Sequence, residues 1–258
     1  MATKSAFKQE CETYGLDLEG WKIYYFYSNK SAINDEWGRI YIIKKSLNDD
    51  KDLPSLVGMA GFSVKSFCGT TNRIMQNLDK IKSKYNAVWM FCLSEQIRAM
   101  QTKACKERDE QNSYDPEIEL NEKIGKHVNK LLDITGLTNI HLIGKCGGCG
   151  VLLHTFVQDD EKYNALYLGV PASPTDAQLL LTREWTNKKF IFAWDVRDAY
   201  PFQWSSPPSP SNKEIEKYRL TMSKLKGTGN TVRLEEFGEG EADEKKYHEI
   251  PDELFDLL

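Results

Sequence analysis

Apolar residues occur in short runs along the chain and are separated by longer polar segments. Eight of these runs are rich in β-branched and aromatic residues and are predicted to be strands. They lie at 21–27, 38–43, 55–60, 87–92, 140–143, 164–170, 189–194 and 231–237. The first two predict an antiparallel pair. Most of the later runs lack apolar-polar alternation, which is typical of parallel strands buried on both faces.

Between the strands, apolar positions recur at the three- and four-residue spacing of helices. Such spacing predicts helices over 71–85, 115–136, 177–185, 211–225 and 251–258. Asp115 and Pro116 suit the N-cap and the first helical position, and Ser211 begins a capping box. The leading segment 1–20 and the polar segment 95–114 have too weak a pattern to be assigned.

The order of these elements predicts the fold class. Strands that alternate with helices after an initial hairpin predict an α/β fold, with a mostly parallel central sheet and helices on both faces. The chain has 258 residues, 40% of them hydrophobic, so it can bury one sizeable core. No Pro/Gly/Ser-rich linker divides it. The prediction is therefore a single domain over 1–258.

Composition and charge limit which binding partners and which cellular compartment are expected. The net charge is -4, the pI is about 5.7, and lysines are spread among acidic residues, which argues against a nucleic-acid partner. No run approaches the roughly 18 apolar residues of a membrane span, and the amino terminus has no apolar signal-peptide core. The six cysteines are irregularly spaced, which favours reduced thiols and a cytoplasmic protein.

The segment 139–156 joins a strand-like run to a helix-like run through a glycine-rich turn. Its centre, Gly144-Lys-Cys146-Gly-Gly148, matches the G-x-nucleophile-x-G pattern of a nucleophile elbow, with cysteine in place of serine. Such a turn holds the nucleophile at strained backbone angles and requires small residues on either side. The N–H groups that begin the helix can stabilise negative charge nearby. The segment therefore predicts an acyl-transfer site with Cys146 as the nucleophile.

From Trp21 onward the chain resembles the α/β-hydrolase superfamily, in which the elbow follows the fifth strand. The resemblance implies an acid after the seventh strand and a histidine after the eighth. The segment 195–201, Asp-Val-Arg-Asp-Ala-Tyr-Pro, is similar to the family's G-x-x-D-x-x-P loop. This similarity makes Asp198 the acid, with Asp195, in the usual glycine position, as the alternative. His248, after the last strand run, is the histidine that the resemblance implies.

The resemblance also implies two backbone donors for the oxyanion. One is the N–H of Gly147, directly after the nucleophile. The other is assigned to Phe62, because 59–62, Met-Ala-Gly-Phe, resembles the family's H-G-φ stretch. Ala60 replaces the usual histidine there, but a backbone donor does not depend on that side chain.

The activity that the resemblance implies is hydrolysis or transfer of an acyl group, from an ester or a thioester, through an acyl-cysteine intermediate. Members with cysteine at this position are similar to dienelactone hydrolases and to polyester synthases with a G-x-C-x-G-G box. The four histidines lack metal-ligand spacing, so no metal ion and no cofactor are expected. Only 171–188 separates the sixth and seventh strand runs. We therefore expect no large lid and a small-molecule acyl substrate.

Two other interpretations stay open. Cys146 and Cys149 form a C-x-x-C motif, which occurs at helix starts in thiol–disulfide oxidoreductases. In a hydrolase, the same pair predicts a disulfide in which Cys149 is the redox partner that switches Cys146 off. The second interpretation is a hydrolase-like scaffold that binds a ligand or partner without turnover.

Overall fold

The structure is a computed structural model. It describes residues 4–27, 39–61, 63–93, 95–111, 113, 115–171, 177–195, 197, 212–225, 227–239 and 249–258. The described chain divides into two compact units, Met1–Leu120 and Asn121–Leu258. The single domain over 1–258 stays a prediction.

The first unit contains four strands of the main sheet. They are β1 (Lys22–Tyr27), β2 (Arg39–Ser46), β3 (Ser55–Met59) and β4 (Ala87–Cys92). Their order is β1-β2-β4-β3. β2 pairs antiparallel with both β1 and β4, whereas β3 and β4 are parallel. Every residue of β3 and β4 is buried, as the unbroken apolar runs predict.

The helices of the first unit lie partly in segments that were not assigned from the sequence. They are α1 (Lys4–Thr13), α2 (Val64–Gln76), α3 (Leu78–Ile81) and α4 (Glu95–Gln111), and the boundary between the units falls within α5 (Asp115–Thr135). α1 buries Phe7, which stacks on Tyr41 at a centroid distance of 4.0 Å. α2 begins well before the predicted start at 71, because the Ser63 hydroxyl caps it by accepting from the Ser66 N–H.

The second unit contains the other four strands of the main sheet, all parallel to their neighbours. They are β5 (Ile140–Cys146), β6 (Tyr163–Pro171), β8 (Lys189–Asp195) and β10 (Thr231–Phe237), in the order β5-β6-β8-β10. A separate two-residue pair joins β7 (Trp185–Thr186) to β9 (Gly227–Thr228). The helices are α6 (Gly147–Gln158), α7 (Asn212–Ser223) and α8 (Leu254–Leu257).

The predicted helix over 177–185 is wrong. Only a short 3-10 helix forms there, Gln178–Leu181, and Trp185 begins β7. The Trp185 indole N–H donates to the Leu180 carbonyl at 2.7 Å, and its ring packs against Phe156 and Phe190. The Trp185 backbone instead pairs with Gly227 in the β7–β9 sheet, so tertiary pairing and packing override the local periodicity.

The fold class is as predicted. The main sheet has eight strands, is mostly parallel with an antiparallel pair at one edge, and is accompanied by helices. β5, β8 and β10 are its fifth, seventh and eighth strands in chain order. Among the described helices, none is long and apolar enough to cross a membrane.

Candidate active site

The turn at Cys146 has the geometry that the sequence pattern predicts. β5 ends at Cys146 and α6 begins at Gly147, with no residue between them. The backbone of Cys146 has φ 52° and ψ -130°. A non-glycine residue rarely adopts a positive φ, and holding it there costs about 1 to 3 kcal/mol. The half-buried Cys146 thiol therefore stands at a strained strand-to-helix turn.

Gly144 allows the first turn of α6 to pack close to β5. A Cβ added at Gly144 would lie 3.1 Å from the Cys149 Cα and 3.2 Å from the Leu152 Cδ1. These distances are shorter than ordinary van der Waals contact, so a larger residue would push the first turn of the helix away from the sheet. The glycine two residues before Cys146 therefore favours this close packing of α6 on β5.

The first turn of α6 supplies backbone donors next to the thiol. Gly147 is the first residue of α6, and the N–H groups of a first turn have no acceptor inside the helix. Phe62, the second predicted oxyanion donor, lies outside the described residues. Its neighbours are described: the Ser63 N–H donates to the Gly61 carbonyl at 2.9 Å, directly after β3.

Cys149 is buried on the inner side of the same helical turn. Its thiol donates to the Gly169 carbonyl of β6 over 3.5 Å, and it is only 1% exposed. The Cys146 thiol is half-buried, so the two cysteines differ in their access to solvent. A disulfide between them stays a prediction.

Of the two candidate acids, only Asp195 is described. It ends β8, and its Oδ1 accepts from the Arg197 N–H at 2.9 Å and from Arg197 Nε at 2.8 Å. Its Oδ2 pairs with the same guanidinium at 2.5 Å. Partial burial acts to raise the pKa of Asp195, but these Arg197 hydrogen bonds outweigh it and hold that pKa below its ordinary value. Both carboxylate oxygens of Asp195 are thus engaged. Asp198 lies outside the described residues.

His248 also lies outside the described residues, but the two residues that follow it are described. The Glu249 carboxylate pairs with the Lys145 ammonium at 2.6 Å. Ile250 is fully buried over Gly169, where an added Cβ would lie 2.9 Å from Ile250 Cγ1. The chain directly after position 248 is therefore attached to β5 and β6 beside the elbow. The sequence pattern did not single out Lys145 and Glu249, although a lysine inside an apolar strand indicates an opposite charge nearby.

The histidine inside β5 has a structural role. His141 Nδ1 lies 3.3 Å from the Tyr167 hydroxyl, on the neighbouring strand. Burial, with a smaller contribution from the nearby Lys189 charge, lowers the pKa of His141 to about 4. A histidine with so low a pKa is neutral at pH 7.

Within the described parts of the chain, no three His, Cys, Asp or Glu side chains come together as ligands for a metal ion.

We expect His141 to make the protein less stable in acid. The ordinary pKa of 6.5 applies when the chain unfolds, so between pH 6.5 and about 4 the unfolded state binds a proton that the folded state does not. The free energy of unfolding therefore falls as the pH falls, by about 3 kcal/mol between pH 7 and pH 4 from this residue. Urea unfolding of the wild type and of His141→Gln across this range measures the effect. Parallel pH profiles for the two proteins would contradict it.

Comparisons with known proteins bear on the fold. Neither a family model nor a curated protein matches the sequence. The chain is similar to a thermostable esterase of known structure, with 11% identity, a TM-score of 0.54, and coverage of 92% of this chain and 60% of that one.

Two further solved structures are similar at lower TM-scores. Dienelactone hydrolase from Anabaena variabilis is 10% identical over 86% of this chain and 88% of that one, with a TM-score of 0.48. Carboxylesterase CesB from Bacillus subtilis is 11% identical over 88% and 90%, also at 0.48. At these identities the likeness to the thermostable esterase concerns the fold. The chain therefore has the α/β-hydrolase fold.

Proposed function

We propose that this protein is a hydrolase that cleaves an ester or a thioester through an acyl-cysteine intermediate on Cys146. The observation that carries the proposal is the positive φ of Cys146 at a strand-to-helix junction. Strain of this kind is retained where it orients a reactive group, and here it holds a thiol above the start of a buried helix. A structural cysteine has no need of such a turn.

The roles of the predicted residues follow from this chemistry. His248 takes the proton of the Cys146 thiol, the thiolate attacks the acyl carbon, and the resulting tetrahedral oxyanion accepts from the N–H groups of Gly147 and Phe62. As it collapses, the bond from the acyl carbon to the leaving oxygen or sulfur breaks, and His248 protonates the leaving group. His248 then takes a proton from water, whose oxygen attacks the thioester. The acid is released and the Cys146 thiol is regenerated.

Asp198 is the proposed acid that orients His248 and stabilises its charged form. The geometry of Asp195 supports this choice, because both of its carboxylate oxygens already bind Arg197. The attachment of Glu249 and Ile250 beside the elbow supports His248 as the base, since consecutive Cα atoms are only about 3.8 Å apart.

We infer a small or readily accessible acyl substrate, because the connection between β6 and β8 is short and includes the two-residue strand β7. No cofactor takes part in the proposed reaction. The free cysteines at all six positions fit a reducing compartment, for which we propose the cytoplasm.

Intact-mass spectrometry of the reduced protein tests the proposal. The protein is exposed briefly to a panel of activated esters and thioesters that differ in acyl group, with Cys146→Ala alongside. We expect a transient acyl adduct that maps to Cys146 and is absent from the variant, and the preferred acyl group would identify the substrate class. A folded protein without an adduct at Cys146 across the panel would favour the non-catalytic scaffold or the C-x-x-C oxidoreductase instead.

A further inference from the structure

Lys145 is an unexpected residue at its position. It lies in β5 between Gly144 and the proposed nucleophile, and its side chain is only 5% exposed. Burying an ammonium group is strongly unfavourable unless an opposite charge compensates it. Lys145 therefore has a desolvation cost at this turn that an apolar residue would not have.

The compensating charge comes from the far end of the chain. Glu249 Oε2 lies 2.6 Å from Lys145 Nζ, and the Glu249 side chain is 42% exposed. The pair connects the residue directly before Cys146 with the residue directly after His248. The ion pair therefore connects the chain next to Cys146 with the chain next to His248. These are the two side chains between which the proposed reaction transfers a proton.

A second contact attaches the same segment. Ile250 is fully buried, and its side chain occupies the space that a Cβ at Gly169 would need. Gly169 also accepts the hydrogen bond from the Cys149 thiol in the first turn of α6. The segment after position 248 therefore contacts β6 at the residue that supports the elbow helix.

We propose that Lys145 and Glu249 are positioning residues that hold the chain after His248 against the elbow and so present the imidazole to Cys146. This proposal rests on the proposed role of His248 as the base. Neither residue touches the substrate. Replacing a buried ion pair by apolar side chains is often neutral for stability, so stabilisation alone does not explain why the pair is here.

Lys145→Met tests the pair, because methionine keeps the apolar stem and removes the charge. Lys162→Met is the matched control: Lys162 is also largely buried, at 18% exposure, and pairs with Asp159 at 2.5 Å and with Asp133. Lys162 lies just before β6, at the end of that strand opposite to Gly169 and Ile250. Both variants remove a paired lysine from the same unit, but only one of them releases Glu249.

The first readout is hydrogen exchange of the peptide that contains 249–252. We expect exchange at least about fivefold faster in Lys145→Met than in the wild type, and unchanged in Lys162→Met, because the released segment opens locally. Equal exchange in Lys145→Met and the wild type would overturn the proposal. If Lys145→Met does not fold, the double variant Lys145→Met/Glu249→Gln replaces it, because it leaves neither charge of the pair without a partner.

The second readout is the rate at which iodoacetamide alkylates Cys146, followed by peptide mass mapping from pH 5 to 9. A thiol held beside an imidazole stays reactive at pH 6, where a free cysteine, with a pKa near 8.5, has lost most of its thiolate. We expect the pH 6 rate to fall about tenfold or more in His248→Ala and similarly in Lys145→Met, but not in Lys162→Met.

The outcomes separate this proposal from the proposed function. A rate that falls in His248→Ala but not in Lys145→Met would keep the cysteine-histidine pair and overturn the positioning role. The alkylation rate at pH 6 could instead be equal in the wild type and His248→Ala, while hydrogen exchange of the 249–252 peptide is faster in Lys145→Met. The ion pair would then be a structural contact only, and its role in presenting His248 would be overturned. The acyl-adduct experiment tests turnover without reference to Lys145.

Discussion

Replacing Cys146 by alanine is expected to lower kcat/KM for an activated ester by about 10⁴-fold or more. The remaining rate would be the uncatalysed rate, increased only by what substrate binding contributes. The reason is that the proposed intermediate is a covalent bond to the Cys146 sulfur, for which the turn offers no substitute. The substrate is the ester that acylates the wild-type protein best in the mass experiment. Steady-state hydrolysis by the purified variant measures the loss.

Cys149→Ala is the matched control for this experiment. Cys149 lies in the same helical turn, is buried, and binds the Gly169 carbonyl through its thiol. We expect this variant to keep its kcat/KM within about tenfold, because it loses a weak hydrogen bond and some packing but no reacting atom. Substantial hydrolysis by Cys146→Ala, or an equal loss in both variants, would contradict a specific role for Cys146.

His248→Ala is expected to convert turnover into a single acylation. Losing a general base costs about 10² to 10⁴ in rate, and the effect falls mainly on the step in which water must be activated. The Cys146 thiolate can still attack an activated ester at high pH, so the acyl-enzyme should form and persist. Rapid-mixing kinetics should show a burst of leaving group without a steady state, and intact mass should show a lasting adduct.

His127→Gln is the control for the histidine variant. His127 lies on α5, and burial lowers its pKa, with a further contribution from the Lys130 charge. We expect its turnover to match the wild type. If His248→Ala turned over as fast as His127→Gln, the base would have to be another group and the proposed triad would be wrong.

Some elements could be predicted closely because their local pattern is unambiguous. β4 occupies 87–92 and β10 occupies 231–237, as the apolar runs predict. α5 begins at Asp115, the residue that was predicted to be its N-cap, and ends at Thr135, one residue before Gly136. Every residue of β4 is buried, the apolar residues of β10 are half-buried, and Gly136 follows α5 with a φ of 70°, in the left-handed region that glycine favours.

Other elements could not be predicted, because their buried faces include polar residues. The buried positions of α4 include Ile97, Gln101, Ala104 and Arg108, which follow helical spacing but are half polar. Arg108 is buried because it binds Glu117 on α5 at 3.0 Å. A hydrophobicity pattern cannot find such a face, since the partner that makes burial favourable lies in another element. α1 was missed for a different reason: it buries only Phe7 and Cys11, which are too few apolar positions to give a clear helical pattern.

The candidate site divides in the same way. The elbow at Cys146 was predictable, because a strained strand-to-helix turn requires glycines at fixed spacing, and those are visible in the local sequence. The pairing of Lys145 with Glu249, which are far apart in the sequence, was visible only in the tertiary structure. A charged residue carries no local information about which of many opposite charges it will meet. That choice depends on which strand ends the folded sheet brings together, and here the sheet brings the chain after position 248 to the turn at Cys146.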